Sequence, residues 1–379
     1  MRVLFILRVP YGTMGSGASS MVPYYVSKIH DVVVHVALTE ECQEHLTILK
    51  DPLFYIVTSK SSDLFMHLDS IFKTMQRFKP HIVYIYSRPN IYEFVYHIKH
   101  YNPRQKIIID VRSPLLNNSE IAKKKIMASY SQAQLYADHI FACDYAILET
   151  YLPKPRKPVS ELPIGIDLHH FPTMKNMHTK RLRNFVFVGN LHRRRKISQL
   201  IQNFIDLASV FPNTIKLDIY GSGNDESSLN DLIRSHDAKN IVEIKGFIEH
   251  DILFTILKKY DAGIAFVPNE IYSVAPSLKS LEYAAAGIFI MASDTIGHRK
   301  YNELHGFQFH LFPNEKNEFL SVFKNILNNG IENDIIDINY KAVQKFDWAY
   351  IVDTVVHPVL DRLCGHFTNS FDQITAIER

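Results

Sequence analysis

The run Phe185-Val186-Phe187-Val188-Gly189-Asn190-Leu191-His192-Arg193-Arg194-Arg195-Lys196 decides how this chain is read. Its unbroken apolar start predicts a strand buried on both faces, because a strand with one wet face alternates polar and apolar residues. Gly189 then opens a loop, and an apolar helix is predicted from Ile197 to Leu207. Strand, glycine turn, cations and helix start, in that order, describe one unit of a doubly wound sheet. Such sheets bind ligands beyond the carboxyl ends of their strands. The cations Arg193 to Lys196 stand at that end and suit a diphosphate, with Arg195 and Lys196 nearest the helix start. An ordinary solvated basic turn is the plain alternative.

Outward from this stretch the same pattern recurs. Continuous apolar runs predict strands at Val3–Leu7, Val32–Ala37, Phe54–Val57, His81–Tyr86, Lys106–Asp110 and His139–Ala142, then at Phe185–Val188, Ile215–Tyr220, Ile241–Lys245, Ala262–Val267, Ile288–Ala292 and Phe307–Phe312. Helical spacing over Asp63–Phe78 and Ile91–His100 fills gaps between them. The expected architecture is α/β, with two Rossmann-like doubly wound domains facing a central cleft. The chain of 379 residues is long enough for two domains at roughly 100–200 residues each. We place the first at 1–168, with a returning tail at 354–379, and the second at 169–353.

Composition narrows the class. At 46% hydrophobic and 21% charged the chain is not disordered, and 42 basic against 39 acidic residues leave only +3, too little for a nucleic-acid-wrapping protein. Cys42, Cys143 and Cys364 are widely spaced, which argues against a disulfide scaffold or zinc ribbon and suggests a cytoplasmic setting. No apolar run reaches the roughly 18 residues of a membrane span, and the N-terminus reads as a buried strand rather than a signal peptide.

Three further segments carry candidate chemistry. Tyr11-Gly12-Thr13-Met14-Gly15-Ser16-Gly17-Ala18-Ser19-Ser20 follows the first strand; its glycines permit close approach of a ligand to the backbone, and Pro23 is tolerable only if it lies in the first turn of the helix that follows. A structural turn explains the same loop equally well. In Ala275-Pro276-Ser277-Leu278-Lys279-Ser280-Leu281-Glu282-Tyr283-Ala284-Ala285-Ala286-Gly287, Ser277 is a helix cap and Gly287 a left-handed stop, so the helix start can hold a phosphate. Glu282 lies inside this apolar helix and requires partners, either sugar hydroxyls or Lys279. Finally, Pro153 to Pro158 and Lys123 to Lys125 are basic segments that suit an anionic lipid surface or, more plainly, solvent. His169 and His170 read as surface or packing residues. Asp110, at a strand end, reads equally as a base or as a hydrogen-bonding residue.

In their order these segments resemble the GT-B nucleotide-sugar glycosyltransferases, in particular the retaining family numbered four, the glycosyl transferases group 1. Pro163-Ile164-Gly165-Ile166-Asp167 with Phe171 resembles the motif preceding the second domain. Phe187 to Leu191 with Arg195 and Lys196 resembles the diphosphate loop, Tyr220-Gly221-Ser222-Gly223 the second-strand turn, and Lys245-Gly246-Phe247 the base-binding turn. Ser277, Leu278, Lys279, Glu282 and Gly287 resemble the donor helix, and Phe346-Asp347-Trp348 the signature before the tail helix. The likeness is closest over about residues 160–360.

The resemblance implies transfer of a sugar from a nucleotide diphosphate sugar, UDP before GDP, to a hydroxyl of a glycan, lipid-linked or protein acceptor, with no cofactor and no obligatory metal. The donor-binding residues it implies are Gly15, Gly17, Gly189, Asn190, Gly246, Phe247, Ser277, Leu278, Lys279 and Glu282. The catalytic residues are Arg195 and Lys196, joined by Asp110 and Arg112. Three positions depart from the family pattern: Val274 stands where a second acid is usual, with Glu270 the nearest earlier one; Asn190 stands where an arginine is usual; and Asp110-Val111-Arg112-Ser113 stands where a histidine is usual. Enrichment in Lys, Ile, Asn, Tyr and Phe with low glycine suggests an AT-rich bacterial source, and with it the resemblance implies synthesis of a surface polysaccharide such as lipopolysaccharide or capsule. The small net charge implies no nucleic-acid partner, and the basic segments suit peripheral contact at the inner face of the membrane. A non-catalytic sugar-nucleotide-binding subunit and a sugar-nucleotide epimerase are the competing readings.

Overall fold

The computed structural model describes residues 1–9, 11, 17–38, 55–60, 63–115, 119–171, 181–268, 273–274, 277–332 and 334–365. The first parallel sheet contains β1 (Arg2–Leu7), β2 (Asp31–Leu38), β3 (Tyr55–Lys60), β4 (Ile82–Tyr86), β5 (Lys106–Val111), β6 (His139–Ala142) and β7 (Val159–Glu161), in the spatial order β3-β2-β1-β4-β5-β6-β7. β1, β4 and β6 are buried along nearly their whole length, as their continuous apolar runs require. β7 went unpredicted because Val159-Ser160-Glu161 is short and polar; it is an edge strand paired with β6 alone. Exposed Pro153 to Arg156 lead into it, and Pro158 accepts a hydrogen bond from Ile140 N–H at 3.0 Å.

Helices cover this sheet. Asp63 caps the helix Leu64–Phe78 by accepting from Phe65 N–H at 2.8 Å, and Ser119 caps Glu120–Ala133. Pro23 does not meet the first-turn condition: it lies in the middle of the helix Ala18–Ser27. An interior proline forfeits one backbone bond, at a cost of ~3 kcal/mol. Burial of Met21, Val22, Pro23 and Val26 offsets that loss.

The second parallel sheet contains β8 (Asn184–Val188), β9 (Lys216–Tyr220), β10 (Val242–Gly246), β11 (Ala262–Ala265), β12 (Phe289–Ser293) and β13 (His310–Phe312), ordered β10-β9-β8-β11-β12-β13. Phe185 and Phe187 of β8 join one core with Leu200, Phe204, Phe319 and Phe323, while Val186 and Val188 join another with Leu281, Tyr283, Ile290 and Phe346. Both faces of the strand are therefore buried, and the strand order reverses between β8 and β11, as it does between β1 and β4.

The molecule divides into two compact units: one holds β1 to β7 and again the chain from Ala349, the other is Ile164–Trp348. The sequence reading drew these borders a few residues later, at 168 and 353. The reason for the shift is a short parallel bridge between the two crossing segments. Ile166 N–H donates to Phe346 at 2.8 Å, Trp348 N–H donates to Ile166 at 2.9 Å, and Leu168 N–H donates to Asp347 Oδ1 at 3.2 Å. Ile166 is thereby buried in the second unit's core. From Ala349 the chain rejoins the first unit, where His357 packs edge-on against His30 and Arg362 reaches His139. No described helix is long and apolar enough to cross a membrane.

Candidate functional site

The loop after β8 is held open by glycine. Gly189 N–H donates to Tyr220 at 3.0 Å and Leu191 N–H to Ser222 at 2.9 Å, so this loop lies directly on the one that follows β9. Gly221 has φ +147°, and a Cβ there would sit 1.8 Å from the Gly189 carbonyl oxygen; a Cβ on Gly223 would meet Leu191 at 2.4 Å. Any other residue at these two places would push the loops apart. Asn190 is exposed and Gly189 half-buried.

Arg193–Arg195 form one tight turn, and Lys196, at φ 52°, adopts the left-handed conformation that redirects the chain into the helix Ile197–Val210. Lys196 is the N-cap of that helix and makes no side-chain cap bond, so a cation stands where an anion is favoured by the helix start. Arg193 is drawn aside to Asp225 at 3.4 Å. Arg195 is half-buried and Arg194 exposed.

The helix Leu278–Ala286 follows β11, the strand beside β8. Ser277 caps it through Lys279 N–H at 3.2 Å, and Gly287, at φ 68°, ends it. Glu282 is fully buried, and Lys279 Nζ lies 2.7 Å from its Oε2. The lysine thus supplies the counter-charge that a buried carboxylate demands, one turn from the Ser277-capped end of the helix. Tyr283 is also fully buried; its hydroxyl accepts Val188 N–H at 3.1 Å, the last residue of β8. Its ring lies on Gly263 of β11, where a Cβ would come within 2.3 Å. One side chain thereby links the helix to the strand that launches the cation loop.

Sequence reasoning missed His298. It is fully buried in the helix Ile296–His305, and Ser277 N–H donates to its Nε2 at 3.2 Å. Its Nδ1 lies 2.8 Å from the Ser293 carbonyl oxygen, which can only accept, so the proton is on Nδ1 and Nε2 is free to receive the Ser277 amide. Burial pushes the ring's pKa down to about 4, keeping it neutral in that role. The signal was faint, since only Thr295, the cap of this helix, precedes it in a recognisable pattern. Ser293 and Asn314 extend the lattice: Ser293 Oγ accepts Val267 N–H at 3.0 Å and donates to Asn314, whose amide donates to the Val267 carbonyl at 2.8 Å. Together they fix the exit of β11.

Lys245 is an extra residue in the pairing of β10 with β9, since Ile244 faces Ile219 and Gly246 faces Tyr220. Gly246 follows at φ 78° and accepts Gly221 N–H at 2.8 Å. The turn leaves the Phe247 ring 71% exposed, a free flat surface at the same end of the sheet.

Gly17 precedes the helix Ala18–Ser27 but groups with the second unit, while Gly15 lies outside the described residues, as do Glu270, Ala275 and Pro276. In the first unit, Asp110, next to last in β5, is fully buried; Tyr84 hydroxyl donates to its Oδ2 at 2.8 Å and Arg112 Nη1 stands 3.7 Å from Oδ1. Burial pushes its pKa up to about 6, against the pull of Arg112. Arg112 donates to the carbonyls of Leu162 and Pro163 at 2.5 and 3.0 Å. Both side chains therefore have structural work at the last residues before the chain leaves this unit. His169 and His170 flank Asp167 at 3.2 and 3.3 Å, and ligand atoms of Asp167, His169 and Asp347 lie within 4.8 Å of one another. The sequence spacing of the histidines did not suggest that grouping. Each aspartate already accepts a backbone N–H with Oδ1, which accounts for them as braces of the crossing segments.

Two Rossmann-like sheets of this order define the GT-B class of folds, and solved structures agree. HepE of Anabaena in complex with UDP superposes with a TM-score of 0.73 at 15% identity, covering 95% of this chain and 100% of the other. Sucrose-phosphate synthase from Thermosynechococcus elongatus gives 0.69 at 15% identity, over 96% and 100%. The E. coli structure described as trehalose-6-phosphate bound with UDP-2-fluoro glucose gives 0.68 at 10% identity, over 96% and 99%. Residues 174–342 match the profile of the family glycosyl transferases group 1, which spans most of the second unit. No curated protein matches the sequence.

Proposed function

We propose that this protein is a glycosyltransferase that moves a sugar from a UDP-linked donor to an acceptor hydroxyl. The observation that carries the proposal is the pairing, at the reversal point of one sheet, of the cation loop Arg193–Lys196 with the Ser277-capped helix that bears Lys279 and Glu282. Departure of a nucleoside diphosphate concentrates negative charge on its oxygens. Arg195, Lys196 and two helix starts are fixed donors for that charge before the reaction begins. Ser277 and Leu278 give the phosphate its backbone contacts, Lys279 and Glu282 address the ribose, and Gly189, Asn190 and Gly246 let the nucleotide approach the backbone. Phe247 offers its exposed ring to the base. UDP is chosen because HepE and the E. coli neighbour are described with UDP or a UDP-sugar bound; GDP is the alternative.

The finer assignment follows the resemblance: retention of configuration, positive charge for the diphosphate supplied by the side chains rather than by a metal, and a place in bacterial surface polysaccharide synthesis in the cytoplasm. Gly15 and Gly17 are assigned to the donor, as the resemblance implies, whereas Asp110 and Arg112 belong to the first unit, which is assigned the acceptor side. Asp110 and Arg112 act there by shaping the end of β5. Exposed Ile121 beside Lys124 and Lys125, together with Lys154 and Arg156, supports peripheral contact with an anionic membrane.

A thermal-shift series with UDP, GDP and their sugars, repeated on Glu282→Ala, tests the reading. UDP and a UDP-sugar should stabilise the native protein, and the variant should lose roughly tenfold or more in donor affinity and nearly all transfer. Stabilisation by GDP alone moves the assignment to GDP, and full turnover in Glu282→Ala removes the donor helix from the mechanism.

A further inference from the structure

At the reversal point of the first sheet, between β1 and β4, a buried cation lacks a counter-charge. Arg88 follows β4 in the turn Ser87–Asn90 and is only 7% exposed. Its guanidinium carbon sits 3.8 Å over the Phe94 ring, while its Nε and Nη1 are buried and donate to nothing. Its own backbone N–H is satisfied by the Tyr130 hydroxyl at 3.2 Å. Arg8, just past the end of β1, is exposed and adds like-charge repulsion; burial and that repulsion pull the guanidinium's pKa down to about 10. Tyr130 is the other titratable group acting on Arg88, and burial raises its pKa so that the hydroxyl stays neutral; His35, which feels Arg88 in turn, is held near a pKa of about 4 by burial, so neither offers a negative charge. A buried arginine is ordinarily paired, because removing its hydration without a partner is costly. The ring beneath it offsets only part of that cost.

We propose that this end of the first sheet binds a phosphate group carried by the acceptor, with Arg88 and Arg8 as its cationic contacts. The inference rests on the glycosyl-transfer reading and names the chemical class of its acceptor. Two guanidinium nitrogens of Arg88 without acceptors call for an oxygen-rich anion, and the second cation, Arg8, past the end of the neighbouring strand suits the double charge of a phosphate. Position supports the same conclusion, because a doubly wound sheet binds its ligand where the strand order reverses. The phosphate can be that of a soluble sugar phosphate or of a lipid-linked carrier.

Calorimetric titration of the full chain, first with UDP and then with inorganic phosphate at saturating UDP, separates the two sites. Phosphate should bind the UDP-loaded protein, and Arg88→Gln should weaken it at least tenfold while UDP affinity stays unchanged. Arg8→Gln alters only an exposed side chain and should weaken phosphate three- to tenfold, which keeps the test open if the Arg88 variant misfolds. Glucose 6-phosphate against glucose, and phosphatidylcholine vesicles with and without undecaprenyl phosphate, distinguish the soluble from the lipid-linked source. Absence of binding in every phosphate arm, or equal affinity in wild type and both variants, overturns the proposal. Loss of UDP binding alone overturns the donor reading and leaves the phosphate result standing.

Discussion

Lys196 shows how one residue can serve backbone and chemistry together. Its left-handed φ of 52° ends the turn Arg193–Arg195 and starts the helix Ile197–Val210, so the cation is placed by the same geometry that aims the helix. Replacing both Arg195 and Lys196 by alanine should lower kcat by roughly 100-fold or more, with a smaller change in donor KM, because the charge they meet develops in the transition state. Steady-state kinetics check this; unchanged kcat would turn attention to Arg193 and Arg194. His298 makes a different prediction. A histidine whose folded pKa lies below its unfolded value leaves stability intact above about pH 6.5 and costs stability as pH falls from 6.5 toward 4, where the unfolded chain takes up a proton and the folded one does not. His30, His35 and His139, also lowered to about 4, act in the same direction. Asp110, raised to about 6, acts oppositely, since its cost grows as pH rises from 3.8 toward 6. His298→Gln should reduce the acid-side loss by up to about 3 kcal/mol, read from urea midpoints across that range.

At the scale of elements, much of the site could be read in advance wherever the information is local. Ser277, Gly287 and the Lys279–Glu282 pair lie within one short helix, so cap, stop and counter-ion are visible as spacings along the chain. The continuous apolar runs of β1, β4 and β8 were equally plain, because burial on both faces leaves its mark in each residue. What escaped notice depends on residues far apart. β7 is polar and defined only by its pairing with β6, and His298 meets Ser277 across twenty-one residues. Nothing beside Arg88 in the sequence marks it as buried. Tyr283 belongs to this second group, since its hydroxyl contact with Val188 spans ninety-five residues. Tyr283→Phe keeps the ring and leaves Val188 N–H unpaired, so it should cost about 1–3 kcal/mol of stability and loosen donor binding. Denaturant unfolding and UDP titration of the variant measure both effects.

At the scale of the whole molecule, the second unit carries its own two cores, one on each face of a complete six-stranded sheet. A fragment spanning Ile164–Trp348 should therefore unfold cooperatively and retain UDP affinity within a few-fold of the full chain. A non-cooperative transition would show that the unit depends on the rest of the protein. The first unit differs, because it is discontinuous: Cys364 Sγ lies 3.4 Å from Met1 Sδ, and His357 packs on His30.

The bridge of Ile166 with Phe346 and Trp348 places both crossings of the chain side by side, and this sets an order of events on the ribosome. Domains of a nascent chain usually fold from the N-terminus onward. Here the first half emerges early yet lacks the segment beyond Ala349, while the second half has every strand of its sheet before that segment is synthesised. The later-made domain is thus the first to be complete, and the earlier one is finished only when the C-terminal helix is released to close over His30 and Met1.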